Sequence, residues 1–171
     1  MRAISRTITY FVLDWLELDE TERHLVFNAA RVRLNAQAKY SDYWVGASLA
    51  SKTGRFYSGC NTRTTHAVES AINQMTATEG REESKISKIF MVGAFGGNRI
   101  KIPPFADKDK WLSFSDMCVP CGHCLQVIWE NCHADTRVKI FSILPNGQIG
   151  RITIDDALSL RSSPKDLAVK Y

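Results

Sequence analysis

Three side chains in two short segments have the types and spacing to hold a divalent cation. They are His66 in His66-Ala67-Val68-Glu69-Ser70-Ala71-Ile72, and Cys121 and Cys124 in Pro120-Cys121-Gly122-His123-Cys124-Leu125-Gln126. Cysteines three apart at a helix start share one face and point toward unpaired backbone N–H groups, which stabilise the thiolate form that zinc binds. One histidine and two thiolates leave the fourth position of a tetrahedral Zn2+ ion open to water, as a catalytic centre requires. Cys118 is the obvious fourth ligand for a closed structural site. It lacks the helix-start placement of the other three, so the expected ligand set is His66, Cys121 and Cys124 alone.

These residues need two helix starts held side by side. Asp19-Glu20-Thr21-Glu22 reads as a helix start, and Leu25, Val26, Ala29, Val32 and Ala36 recur at helical spacing to about Lys39. Residues 45–50 and 55–60 read as strands of a hairpin around Ser51-Lys52-Thr53-Gly54. A helix is predicted from His66 toward Gly80, where glycine supplies the stop, and a buried central strand over 88–95. Residues 96–117 read as a long loop ending beside the cysteines, with Phe105, Trp111 and Phe114 as a candidate rim over the pocket. Pro120 opens a helix to about Cys132, and residues 138–144 and 148–154 form a second hairpin around Pro145-Asn146-Gly147. The order predicts an α/β fold: a mixed five-stranded sheet with helices on both faces, in one domain spanning 1–171.

Composition narrows the functional classes. With 171 residues and 44% hydrophobic content, the chain can bury a full core. A net charge of +4 without a basic run or an aromatic stacking track disfavours nucleic acid as a partner. Five cysteines, three of them within seven residues, suit metal ligation in a reducing, cytoplasmic compartment better than disulfides. Arg2 and Arg6 precede an apolar stretch from Ile8 to Leu13, but it is short and followed by Asp14 and Glu17, so it is not read as a secretory signal. No segment is long enough to predict a membrane span.

Taken in order, the motifs resemble the cytidine deaminase family, and the resemblance covers nearly the whole chain. Tyr40-Ser41-Asp42-Tyr43-Trp44-Val45-Gly46-Ala47 is similar to the family's Y-S-x-F-x-V-G-A segment, and Gly59-Cys60-Asn61 to its G-x-N. His66-Ala67 with Ser70-Ala71-Ile72 resembles H-A-E-x-S-A-I, Pro120 to Gln126 resembles P-C-G-H-C-R-Q, and Pro164-Lys165-Asp166-Leu167 resembles a C-terminal G-P-K-D-L. The resemblance implies a three-layer α/β/α sandwich, Zn2+ on His66, Cys121 and Cys124, and hydrolytic removal of the exocyclic amine of cytidine. It also implies a nucleoside-like small-molecule substrate, touched by Tyr43 and Asn61, and a homotetramer or homodimer.

Three departures from the family pattern stand out. Val68 occupies the position of the glutamate that shuttles protons; because Ser70 keeps its place four residues after His66, this is a substitution in register. A valine cannot carry a proton, and losing a positioned acid or base costs on the order of 10² to 10⁴ in rate. Glu69, three residues after His66 and on nearly the same helical face, is the candidate replacement; its bland alternative is a first-turn residue that is solvated or salt-bridged. Arg63 stands where the family's ribose-holding glutamate is expected, and could meet a phosphate or carboxylate. The third departure is the long 96–117 segment. Leu125, in place of an arginine, is read as tolerated. Two functions follow: a zinc-dependent deaminase-like hydrolase of a cytidine-like or modified amino-heterocycle, or a zinc-binding pseudoenzyme with a structural, ligand-binding or regulatory role.

Overall fold

A computed structural model describes residues 5–83, 85–95, 117–144 and 146–159. The elements in chain order are β1 (Tyr10–Leu13), α1 (Glu20–Arg33), β2 (Tyr43–Ser51), β3 (Phe56–Cys60), α2 (Ala67–Glu83), β4 (Ile86–Phe95), α3 (Gly122–Asn131), β5 (Lys139–Ile143), β6 (Ile149–Thr153) and α4 (Ile154–Ala157). One sheet runs β1-β6-β5-β4-β2-β3, with β4 and β5 parallel and every other pair antiparallel.

Period-two alternation in the central strands builds a core on each face of the sheet. Ile89 and Met91 of β4 and Ile140 of β5 join Val68, Ala71, Ile72 and Met75 of α2 and Cys124, Leu125 and Ile128 of α3. Phe90, Val92, Phe141 and Ile143 face the other way, toward Leu25, Val26 and Ala29 of α1. The Phe90 and Phe141 rings stack with centroids 5.5 Å apart. The result is the expected three-layer α/β/α arrangement.

The sheet has six strands where five were expected. The apolar stretch from Ile8 to Leu13 holds β1, which pairs antiparallel with β6, Tyr10 opposite Ile152 and Leu13 opposite Ile149. It covers an edge that β6 would otherwise leave with unpaired backbone groups. Arg151 stacks over the Phe11 ring at 4.4 Å, and Arg6 pairs with Asp155. Four residues are too few for a decisive alternation, which is why the pattern alone did not disclose a strand.

Helix α1 starts as predicted, with a reciprocal capping box: Glu22 N–H donates to Asp19 Oδ1 at 2.7 Å, and Asp19 N–H to Glu22 Oε2 at 3.0 Å. It ends at Arg33, short of the expected Lys39. The Arg33 guanidinium is spent on the carbonyls of Trp44, Ala94 and Phe95, and beyond it Gln37 N–H donates to Asn61 O at 2.9 Å. The chain after Arg33 is therefore recruited to the end of β3, and Ala36 falls at helical spacing without being helical. In α2 the stop expected at Gly80 is a break: Gly80 sits at φ 77°, ψ 173°, a conformation open to glycine, and helical structure resumes to Glu83. Among the described residues, no helix is long and apolar enough to cross a membrane.

Candidate metal centre

Backbone packing fixes the start of α2 first. A Cβ on Gly59 of β3 would lie 2.5 Å from Ala71 N and 2.7 Å from Ala67 O, so the first turn of α2 rests directly on the β3 backbone. The connection from Asn61 to His66 is a tight turn in which Thr62 N–H donates to Thr65 O at 2.9 Å and Thr62 Oγ1 accepts from Thr65 N–H at 3.2 Å. His66 is thereby delivered at the helix start. On the other side of the site, Pro120 is buried and Cys121 is the N-cap of α3, with no side-chain hydrogen bond closing that cap.

The two helix starts bring three donor atoms together. His66 Nδ1 lies 3.2 Å from Cys124 Sγ and 3.3 Å from Cys121 Sγ, and all three ligand atoms fall within 4.8 Å of one another. Zinc bonds of about 2.0 Å to nitrogen and about 2.3 Å to sulfur place tetrahedral donors roughly 3.6 Å apart, so a small expansion of this cluster accommodates the ion. Among the described residues no other His, Cys, Asp or Glu atom joins the group. His66 and Cys121 are exposed and Cys124 is buried, so the cluster is open on one side. Burial pushes the Cys124 thiol up to about 12, with the neighbouring Cys121 and the charge of Glu69 adding to the rise. A divalent cation arriving here must therefore displace a proton.

Cys118 lies apart from this cluster. Its sulfur accepts from the Tyr43 hydroxyl, and both atoms sit over Gly93, where a Cβ would come within 2.6 Å of each. Burial pushes the Cys118 thiol and the Tyr43 hydroxyl upward, and the Tyr43 ring also meets Phe95 edge-on at 5.3 Å. Asn61 holds the start of β2: its Oδ1 accepts from Val45 N–H at 2.8 Å and its Nδ2 donates to Tyr43 O at 3.0 Å. Arg63 is exposed in the turn ahead of His66. Phe105, Trp111, Phe114 and the 164–167 segment lie outside the described residues.

Val68 and Glu69, adjacent in sequence, have opposite surroundings. Val68 is fully buried, in the apolar cluster that also contains Cys124, Leu125 and Ile128. Glu69 is at the mouth of the site, its Oε2 accepting from the His66 backbone N–H at 2.9 Å and its Oε1 lying 2.7 Å from His123 Nε2. The hydrogen bond from His123, and then that from the His66 backbone, hold the Glu69 carboxyl below the usual range. Nothing in the residue pattern singles out His123. The half of the arrangement at the helix start was legible: a glutamate at the third helical position reaching back to the N-cap N–H is a capping-box feature.

Comparison with known proteins agrees with this arrangement. Residues 19–140 match the family described as the cytidine and deoxycytidylate deaminase zinc-binding region. The chain belongs to this family. It is similar to proteins named cytidine deaminase from Halalkalibacterium halodurans, at 29% identity over 143 residues covering 84% of this chain and 95% of that one. A second relative of that name, from Sporosarcina psychrophila, is 28% identical over 145 residues, covering 84% and 93% of the two chains. Among solved structures, cytidine deaminase from Burkholderia pseudomallei matches with a TM-score of 0.61 at 21% identity, covering 85% of this chain and all of that one. The enzyme from Mycobacterium leprae matches with a TM-score of 0.56 at 22% identity, covering 82% and 98%. At these identities the structural likeness carries the fold, a cytidine deaminase-like α/β sheet flanked by helices. His66, Cys121 and Cys124 all fall within the matched residues 19–140.

Proposed function

We propose that this deaminase-family member is a zinc-dependent hydrolase that removes an exocyclic amine from a cytidine-like or modified amino-heterocycle. The observation that carries the reading is the convergence of His66 Nδ1, Cys121 Sγ and Cys124 Sγ into one partly exposed group with room for a fourth ligand. A bound zinc ion supplies a Lewis acid there and lowers the pKa of water toward 7. Proton movement falls to this chain's own residues. Val68, fully buried, has no part in it. Glu69 is the carboxylate at the mouth, and its charge is felt at Cys124. Its oxygens already meet the His66 backbone N–H and His123 Nε2, and each keeps a further lone pair with which to accept a proton. Tyr43 and Asn61, at the start of β2 and the end of β3, and the exposed Arg63 are the proposed substrate contacts; Arg63 favours a substrate carrying a phosphate or carboxylate.

A small molecule is the proposed substrate and a homotetramer or homodimer the proposed assembly. Large apolar side chains open to solvent, Phe27 at 51% and Phe56 at 41%, support self-association. The cytoplasm is the proposed location, in keeping with free thiols at the described cysteines.

A second reading, a zinc-binding pseudoenzyme, is favoured by a specific observation. The position two residues after the metal histidine is sealed in the apolar core, and both oxygens of the nearby Glu69 are engaged. Ammonia release by zinc-loaded protein decides between the two, measured on cytosine, cytidine, deoxycytidine, CMP and pterin-like amines. The hydrolase reading expects release from at least one, abolished by Glu69→Gln. Silence across the panel from zinc-loaded protein supports the pseudoenzyme.

A further inference from the structure

The helix starts that carry the metal ligands come from distant parts of the chain, and one carboxylate touches both. Glu69 Oε2 accepts from the backbone N–H of His66, the ligand on α2, while Glu69 Oε1 lies 2.7 Å from Nε2 of His123, the residue between the two cysteines on α3. A carboxylate only accepts, so the His123 ring proton resides on Nε2 and points at Glu69. The His123 ring meets the His66 ring edge-on, with centroids 6.0 Å apart. The His123 and Glu69 side chains are 60% and 25% exposed, so neither fills the core.

We propose that Glu69 and His123 form a clasp that ties the start of α2 to the start of α3 and thereby sets how tightly His66, Cys121 and Cys124 hold their metal. The clasp is a positioning device: it orders donors from two helices before the ion arrives, so less ordering remains to oppose binding. Partners that orient metal ligands typically change metal affinity by about 10- to 100-fold. A single side-chain hydrogen bond at a partly exposed site adds little to folding. The mark of a clasp is therefore a large effect on the metal with a small effect on the fold.

This inference rests on the zinc reading of the site and is independent of turnover. The test is zinc affinity of the full chain by chelator competition, together with the visible spectrum of the cobalt(II)-substituted protein. Wild type, His123→Ala, His123→Gln, Glu69→Ala and the His123→Ala/Glu69→Ala double variant are compared. The clasp predicts that His123→Ala and Glu69→Ala each weaken zinc binding about 10- to 100-fold and shift the cobalt bands. The double variant should be little worse than either single one, because the same link is cut. His123→Gln, which keeps an N–H donor, should recover most of the affinity, and it decides the matter if the alanine variant fails to fold. Zinc affinity of His123→Ala within twofold of wild type, with an unchanged cobalt spectrum, would overturn the clasp and leave the zinc site standing. Wild-type protein that binds neither metal would overturn both.

Discussion

The two helix starts that meet at the candidate metal centre solve the same problem in opposite ways. Each exposes backbone N–H groups that need acceptors. At α2 a carboxylate provides one: Glu69, in the first turn, closes back on the His66 N–H. At α3 there is no acidic residue in the first turn and no side-chain cap on Cys121. The partial positive charge of that helix end is left for the sulfurs of Cys121 and Cys124. His66 sits where a carboxylate of its own helix already meets the backbone, and the two cysteines sit on a helix start with no acidic residue in its own first turn. The Glu69 carboxylate also reaches across to the α3 start, where it meets His123 and its charge adds to the rise at the Cys124 thiol.

Cutting a ligand at the uncapped start should produce the largest effect. Cys124→Ala is expected to lower zinc affinity by more than about 100-fold, beyond what loss of an orienting partner does. Cys118→Ala, altering a thiol held by Tyr43 over Gly93, should leave zinc content unchanged. Metal analysis after dialysis checks both, and loss of zinc from Cys118→Ala would mean a closed structural site.

Val68→Glu tests the capped start by adding a second carboxylate two residues after the ligand. Because Val68 is fully buried, the metal-free variant should lose roughly 1–3 kcal/mol in denaturant unfolding. Zinc should return part of that loss. If the hydrolase reading holds and proton transfer limits turnover, ammonia release from the best substrate of the panel should rise by about 10² or more. An unchanged rate in a folded, zinc-loaded variant would count against it.

Gly59→Ala should loosen α2 alone. The added methyl meets Ala71 N at 2.5 Å, a backbone atom that cannot rotate away, so a loss of about 1–3 kcal/mol is expected, with weaker zinc binding because His66 moves. Retained stability with full zinc affinity would show that the seating of α2 on β3 does not position the ligand.

The smallest effect is expected near the ends where β4 and β5 begin. The guanidinium of Arg137, and then Lys52 at 2.8 Å, hold the Asp135 carboxyl far below its ordinary value. A depressed carboxylate stabilises the fold above its unfolded pKa near 4, and that contribution disappears as pH falls through the folded value. Asp135→Asn should therefore cost about 0.5–1 kcal/mol at pH 7, since Lys52 and Arg137 are well exposed, and the gap to wild type should narrow below pH 4. A gap that is constant from pH 7 to pH 3 would mean the pairing contributes nothing.

The candidate His66, Cys121 and Cys124 group was readable from sequence because each member follows local rules: a histidine at one helix start, and cysteines three apart behind a proline at another. The central strands were readable for the same reason, through the apolar run at the centre of 88–95 and the hairpin signals on either side. What escaped were contacts made across the fold. Strand β1 is recognisable by its pairing with β6, the end of α1 by the demands on Arg33 and Gln37, and His123 by a carboxylate 54 positions away. The surroundings of Val68 and Glu69 belong to the same class. Both lie within three residues of His66, and only packing separates a side chain in the core from one at the mouth.

The most direct test of the account is zinc K-edge X-ray absorption on the metal-loaded full chain. The predicted result is one zinc per chain bound by one imidazole nitrogen, two sulfurs and a further light atom, with both sulfurs lost stepwise in Cys121→Ala and Cys124→Ala. Three sulfurs on the metal, or no stoichiometric zinc, would contradict it.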